Sequence, residues 1–158
     1  MTESPESLAL RMGLDLPDFD RIGYYGADYG TMKPFHRIGN LLFLSGHVAQ
    51  IGTEITHKGR LGKDLTTEQG YAAARQTGLN VLGGIKQAVG SLDHVQSIVR
   101  TLNFVVCAPD YEDVHKVSSG LSDLFVEQGS CHLVARSKYG EVGQKGIFGL
   151  QLSHHIGL

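Results

Sequence analysis

The fold is decided by residues 65–90, which read LTTEQGYAAARQTGLNVLGGIKQAVG. Thr66 followed three residues later by Gln69 is the capping-box pattern that begins a helix. Apolar or small residues then recur at spacings of three and four, which turns one stripe toward a core. They are Ala74, Gly78, Val81, Leu82, Ile85 and Val89. Because its glycines would destabilise an isolated helix, we expect this helix to pack closely on a sheet.

Upstream of this helix, the sequence predicts a β-hairpin. Residues 33–38 can form one strand, and the apolar run at residues 41–44 can form the next. Gly39 and Asn40 between them are a turn signal. Residues 47–51 then predict either a third strand or a continuation of the second strand across a bulge.

Downstream, a third set of elements is expected. Residues 95–106 form a β-branched and aromatic run of the length of a central strand. Asp110 is a candidate cap for a second amphipathic helix, which Gly129 would end. Residues 131–139 and 146–155 are two further extended segments.

The order strand, strand, helix, strand, helix, strand, strand indicates an α+β fold in which two helices cover one face of a sheet. Residues 41–44 are apolar in both alternations, so we expect the other face to be buried between subunits. Residues 1–31 contain a short helical segment and a loop rich in glycine and tyrosine. We assign them to an N-terminal extension packed on a domain of residues 32–158.

Composition excludes several classes of protein. The chain of 158 residues has 14 basic and 16 acidic side chains, a formal charge of -2, and no basic stripe. It therefore does not resemble a dedicated nucleic-acid binder, although a small local anion site stays open. No apolar run approaches the roughly 20 residues of a membrane helix. With two cysteines, no disulfide framework and no signal sequence, we expect a cytoplasmic protein with no membrane partner.

Motifs for common cofactors are absent from the sequence, which has no phosphate loop, GxSxG or HExxH. The neighbours Cys131 and His132, and likewise His154 and His155, would point to opposite faces of a strand and cannot share one metal ion. We therefore expect neither a metal nor an organic cofactor.

Seven short segments in register carry a family resemblance. They are residues 41–46 (LLFLSG), 59–65 (GRLGKDL), 68–70 (EQG), 73–75 (AAR) with Asn80, 109–111 (PDY), 120–124 (GLSDL) and 135–137 (ARS). Together they resemble the RidA family, also called the YjgF/YER057c/UK114 family, and its longer branch formerly labelled endoribonuclease L-PSP. The resemblance implies a chorismate-mutase-like fold, a homotrimer and clefts between subunits. It also implies hydrolysis of small enamine or imine acids to keto acids and ammonia.

The resemblance also assigns roles to residues. Arg136 matches the arginine that clamps the substrate carboxylate, since a guanidinium can donate two parallel hydrogen bonds; a salt bridge at the rim is the alternative. Ser45 matches a cleft serine that orients substrate, or else it satisfies its local backbone. His115 takes the place of a cleft asparagine and could donate a hydrogen bond or move a proton, or lie on an ordinary helix face.

Two positions and one segment depart from the family pattern. Met32 and Lys138 are assigned to the substrate-binding side, but Met32 stands where the family has a tyrosine. Gln151 stands where the family has a water-activating glutamate, and it can orient a water but cannot take its proton. Residues 138–145 also lack the apolar strand and the Leu-Pro pair that usually follow the arginine.

These departures keep two alternatives to an enamine/imine deaminase open. One is a regulatory member that binds small carboxylates without turnover. The other, less supported, is an endoribonuclease or translation inhibitor. Residues 57–60 (HKGR) are the most cationic short segment, and a solvated loop explains them equally well, so no nucleic-acid partner is expected.

Overall fold

A computed structural model of the protein describes residues 3–23, 31–129, 149–150 and 155–157. These residues form an α+β fold of helices and small antiparallel sheets. In chain order the elements are α1 (Pro5–Arg11), α2 (Phe19–Ile22), β1 (Phe35–Ile38), β2 (Leu41–Leu44), β3 (His47–Val48), β4 (Gln50–Ile51), β5 (Glu54–Ile55), α3 (Thr67–Val89), a 3-10 turn (Leu92–His94), β6 (Ser97–Arg100), α4 (Val114–Glu127), β7 (Gly149–Leu150) and β8 (His155–Gly157).

Helix α3 begins with the predicted capping box. The Thr66 hydroxyl accepts a hydrogen bond from the Gln69 amide at 3.3 Å, and the Gln69 side chain accepts one from the Thr66 amide at 2.9 Å. Gly90 ends the helix with a φ of 84°, a left-handed conformation that glycine adopts without strain. The predicted stripe is buried from Ala74 to Ile85 and half-buried at Val89, so the stretch of residues 65–90 follows its pattern.

The hairpin is confirmed, whereas the predicted central strand is largely wrong. β1 pairs with β2 in antiparallel register, with Ile38 opposite Leu41, and the sheet continues in the order β1-β2-β8-β6. Strand β6 covers only four residues of the predicted run and lies at the edge of this sheet among the described residues. The register shifts at a bulge between Ile98 and Arg100, and such an irregularity interrupts the pairing of a strand with its neighbour.

The segment at residues 47–51 is neither a single third strand nor an extension of the second. It divides at Ala49, whose carbonyl accepts hydrogen bonds from both the amide and the hydroxyl of Thr56, at 2.8 and 3.0 Å. β3 on one side pairs with β7, and β4 on the other pairs with β5. The chain therefore changes sheets at this residue.

The predicted cap of the second helix is also wrong. Helix α4 begins after Asp113, not after Asp110, and Asp113 makes no side-chain capping bond. Tyr111 is held outside the helix because its hydroxyl lies 2.8 Å from the Thr67 hydroxyl and its ring contacts Gly62. This tertiary contact delays the start of the helix by three residues.

The glycines of α3 explain how closely it packs, although their partners differ from the expected sheet. An added Cβ at Gly78 would lie 2.8 Å from a methyl of Leu124 on α4, and one at Gly83 would lie 2.6 Å from the ring of Pro17. Gly84, in contrast, faces a strand: an added Cβ there would meet the imidazole of His47 on β3. Helix α3 is thus packed against α4, the N-terminal segment and the sheet at once.

Polar contacts also join α3 to α4 along their exposed edge. Arg75 forms a bidentate ion pair with Glu127, and Tyr71 donates a hydrogen bond to Asp123 at 3.1 Å. Burial, with the hydrogen bond and charge of Asp123, raises the pKa of Tyr71 above its ordinary value. The phenol therefore stays a donor at neutral pH. No helix of the described residues is long and apolar enough to cross a membrane.

The N-terminal helix is attached through hydrogen bonds to two carboxylates, those of Glu6 and Asp93. Glu6 of α1 accepts hydrogen bonds from Lys86, from the Ser91 hydroxyl at 3.3 Å and from the Leu92 amide at 2.9 Å. Asp93 in turn accepts a hydrogen bond from the Glu6 amide at 2.8 Å. Burial alone would raise the pKa of Glu6, but these donors outweigh it and hold the pKa below its ordinary value of 4.5.

Replacing Glu6 with glutamine is expected to destabilise the protein by about 1 kcal/mol at pH 7. Because the folded-state pKa is depressed, the carboxylate stabilises the fold above about pH 4.5 and loses this effect as the pH falls through the lower folded value. Urea unfolding should therefore show a difference between wild type and Glu6→Gln that is largest at pH 7 and shrinks toward pH 3. Glu112→Gln, at an exposed position, is the matched control and should show little difference. A Glu6→Gln difference that stays constant over this range would contradict the assignment.

Candidate active site

The β1–β2 hairpin brings two of the predicted site residues to one end of the sheet. Met32 precedes β1 and Ser45 follows β2, so the antiparallel pairing places them at the same end. The Ser45 amide donates to the Pro34 carbonyl at 2.9 Å, and its hydroxyl donates to the Lys33 carbonyl. Both the backbone and the side chain of Ser45 are therefore held by the segment that leads into β1.

This hydrogen bond limits what Ser45 can do. The hydroxyl proton is used by Lys33, and the oxygen keeps lone pairs that can accept a hydrogen bond from a ligand N–H or a water. No histidine or carboxylate among the described residues bonds to this hydroxyl, and an activated nucleophile needs such a base. The geometry suits Ser45 to orienting a polar ligand rather than attacking it.

Met32 brings apolar surface to this end of the hairpin. It is exposed, and its thioether is only a weak hydrogen-bond acceptor with no proton to donate. Contact with an apolar part of a ligand is the interaction this side chain can make. It cannot replace the hydrogen bond of a tyrosine hydroxyl.

His115 lies apart from this pair. It occupies the first turn of α4 and is exposed, and its carbonyl accepts a hydrogen bond from the Ser119 hydroxyl at 3.0 Å. Its imidazole forms no hydrogen bond or ion pair with another described residue. Among the described residues, the structure thus brings Met32 and Ser45 together but does not join His115 to them. Arg136, Lys138 and Gln151 lie outside the described residues.

Asn80 makes a set of buried hydrogen bonds behind the hairpin, and the sequence did not predict a functional role for it. Asn80 on α3 donates hydrogen bonds to the carbonyls of Val48 and Gln50, both at 2.8 Å, and accepts one from Gln76 at 3.2 Å. It ties α3 to the strands that follow Ser45, and its own amide is fully used. The signal in the sequence is a single asparagine beside an apolar stripe, which periodicity alone does not distinguish from a surface residue.

Two further polar side chains were missed in the segment that follows β6. Thr101 and Asn103 are buried, yet neither the Thr101 hydroxyl nor the Asn103 amide has a hydrogen-bond partner among the described residues. Leaving such a group unpaired costs about 1–3 kcal/mol. Partners outside the described residues, or water, are needed to satisfy them. Within the part of the chain that the structure describes, no three His, Cys, Asp or Glu side chains could hold a metal ion.

Comparison with known proteins identifies relatives along nearly the whole chain. The family described as "YjgF/chorismate_mutase-like, putative endoribonuclease" matches residues 6–138. The crystal structure of a "putative endoribonuclease" from Shewanella oneidensis is 28% identical, with a TM-score of 0.85 over 99% of this chain and 100% of that one.

Two other similarities are more limited. A protein of unknown function from Agrobacterium tumefaciens is 23% identical with a TM-score of 0.80, covers 98% of this chain and 93% of its own, and supports the fold alone. Protein TCP17 from Trypanosoma cruzi is 34% identical over 88 residues, which is 56% of this chain. The match spans about half, 55%, of that relative's length.

Replacing Ser45 with alanine is expected to lower the free energy of unfolding by about 1 kcal/mol, because the Lys33 carbonyl loses its donor. Urea denaturation followed by circular dichroism measures this. Ser119→Ala, which removes an exposed hydroxyl bonded within its own helix, is the matched control and should change stability by less than about 0.5 kcal/mol. Equal stability of Ser45→Ala and wild type would show that the bond between Ser45 and Lys33 does not hold the hairpin end.

Proposed function

Because the chain belongs to the YjgF/RidA/UK114 family, we propose that it hydrolyses small enamine or imine carboxylic acids to keto acids and ammonia. The observation that carries the proposal is the Ser45 hydroxyl, which Lys33 orients at the hairpin end with its lone pairs available. A protonated imine presents N–H donors, and this oxygen can accept one of them. Arg136, which lies within the segment matched to the family, would bind the carboxylate.

In the proposed reaction, water adds to the imine carbon and the C–N bond then breaks, releasing ammonia and leaving the keto acid. The imine is already electrophilic, so holding the reactants in place can supply much of the rate without a strong base. Arg136 fixes the carboxylate, Ser45 fixes the nitrogen, and Gln151 orients the water. His115, which is exposed in the first turn of α4, would donate a hydrogen bond or move a proton in such a cleft.

Replacing Arg136 with alanine should lower kcat/KM by at least about 100-fold, because a bidentate carboxylate contact is lost at a site that depends on orientation. Freshly generated imino acids and a coupled assay of ammonia release provide the measurement. Arg136→Lys keeps the charge but not the paired donors, so its kcat/KM should lie between those of wild type and Arg136→Ala. Arg100→Ala removes an exposed arginine and is the control. If Arg136→Ala equals wild type on every substrate turned over, the role of Arg136 is wrong.

A second candidate is a member that binds small carboxylates without turnover. It is favoured by Met32, which supplies no proton, and by Ser45, whose proton is used by Lys33. Stabilisation by keto acids with no ammonia released from any imino acid would select this candidate over the enzyme. Such ligands should raise the melting temperature of wild type and not of Arg136→Ala.

An endoribonuclease, the activity for which some relatives are named, has weaker support. Lys58 and Lys63 are exposed, but the same loop contains a carboxylate. The side chain of Asp64 accepts a hydrogen bond from the Arg60 amide at 2.9 Å. This mixture of charges does not form the continuous basic surface that RNA binding requires. We infer that RNA binds weakly at physiological salt.

We also propose a homotrimer formed through the sheet face opposite the helices. Ile38, Leu41 and Val99 lie on this face with 59%, 40% and 50% of their surface exposed. Ile38 and Leu41 are directly paired across the hairpin, and Val99 points away from its buried neighbour Ile98. Burying this apolar face would gain about 25 cal/mol per Å².

Light scattering should give a mass of about three times 17.1 kDa. Leu41→Lys should shift the protein toward monomer, because it places a charge in the proposed interface. Val126→Lys introduces the same charge at an exposed apolar position on α4 and should leave the trimer intact. A monomeric wild type, or equal masses for the two variants and wild type, would contradict this interface.

A further inference from the structure

A cavity of about 290 Å³ lies where the N-terminal segment meets α3, apart from Met32 and Ser45. Its walls come from residues 15–18, 21 and 22, from the β4 turn and from the middle of α3. The volume is near the lower limit for pockets that bind small molecules. It suits a ligand with only a few heavy atoms.

The floor of this cavity is rigid and carries unused hydrogen-bond acceptors. Gln50 is only 6% exposed, and its side-chain nitrogen donates to the Gly52 carbonyl at 2.7 Å. Its side-chain oxygen accepts no hydrogen bond from the described residues. Gln76 likewise uses its nitrogen, which donates to Asn80. Each of these nitrogens makes one hydrogen bond to the protein and keeps a second N–H, while the two side-chain oxygens accept no hydrogen bond from the described residues.

The rim adds negative charge. Asp15 and Asp18 line the cavity and are exposed, and neither carboxylate has an ion pair among the described residues. One oxygen of Asp18 accepts the Arg21 amide at 3.1 Å, and the other is available. The guanidinium of Arg21, also in the lining, has no hydrogen-bond or ion-pair partner among the described residues. The cavity therefore presents carboxylate and amide oxygens, with one cation at its edge.

The remaining walls are apolar. Leu16 and Leu79 are half-buried, and Ile22 and Ile51 are exposed at the opening. A short aliphatic chain would cover this surface, while a charged or strongly hydrated group would not. The lining thus has two parts: one that accepts hydrogen bonds and one that contacts hydrocarbon.

We propose that this cavity binds the ammonium group of a small amine that carries a short aliphatic chain. An ammonium group has three donors and no acceptor, which matches the oxygens of Gln50, Asp15 and Asp18. The aliphatic chain lies against Leu16, Ile51 and Leu79. A free aliphatic amino acid and a simple amine share this chemistry, and Arg21 distinguishes them because it can also bind a carboxylate. The lining shares no residue with those assigned to the proposed deaminase cleft.

Isothermal titration of the full chain with three compounds of similar shape tests the site: L-leucine, 3-methylbutylamine and 4-methylpentanoate. We expect saturable binding of the amine and of leucine, and none of the acid in the Arg136→Ala background, where the proposed carboxylate cleft is disabled. Asp18→Asn keeps a good helix cap and removes the charge, so it should weaken amine binding at least tenfold. Asp15→Asn, at a position with no hydrogen bond among the described residues, should act in the same direction. Glu112→Gln makes the same charge change away from the cavity and should have no effect.

Arg21→Gln separates the two sources of the amine. Weaker binding of leucine with unchanged binding of 3-methylbutylamine would identify an amino acid as the ligand class, and equal effects on both would identify a simple amine. Absence of saturable amine binding by wild type would overturn the proposal. So would amine binding that Asp18→Asn and Asp15→Asn leave unchanged.

Discussion

The rest of the structure depends on how closely the neighbouring elements approach the backbone of helix α3. Gly70, Gly78, Gly83 and Gly84 leave no room for a side chain against Leu61, Leu124, Pro17 and His47, respectively. The neighbours of α3 reach its backbone at these positions, so dispersion contacts replace the helix propensity that glycine lacks. A glycine on the opposite helix, Gly120, meets the backbone of α3 at Tyr71 in the same way. The packing thus depends on glycines that let larger side chains and backbone of the neighbouring elements reach the helix.

The hairpin that holds Ser45 inherits its position from this helix. Asn80 bonds the chain just beyond Ser45, at Val48 and Gln50, and it is buried where water cannot replace it. A substitution that removed the amide would remove two hydrogen bonds from the interior. The end of the hairpin is therefore positioned by polar contacts with α3 as well as by the pairing of β1 with β2. This rigidity is what an orienting hydroxyl requires.

Sequence reasoning succeeded where local chemistry decides structure. The capping box at Thr66 and the turn at Gly39 act over three or four residues, and both elements form where predicted. It failed where a tertiary contact overrides the local pattern. Asp110 is a good capping residue, but the contact of Tyr111 with Thr67 moves the start of α4 to Val114. The short helix α2 lies in a stretch that the sequence predicts as a loop, because four residues are too few to show helical periodicity.

The candidate site likewise contains residues whose positions follow from local sequence and residues whose positions do not. Ser45 and Met32 fall together because the hairpin is a local element whose register follows from its turn. The distance of His115 from them depends on how α4 packs, and no spacing in the sequence encodes it. The buried amide of Asn103 stands in an apolar run in which a single polar residue looks like the outward side of a strand. Burial of that position is a property of the assembled fold.

The hydrogen bonds to the carboxylates of Glu6 and Asp93 affect the order in which the protein folds. The bond from the Leu92 amide to Glu6 joins residues 86 positions apart, so it closes a very long loop. Its donors become neighbours only after α3 has formed and ended at Gly90. Helix α1, with seven residues, is too short to be stable by itself. The N-terminal helix should therefore dock after the core has assembled, and its opening should need less free energy than the unfolding of the core.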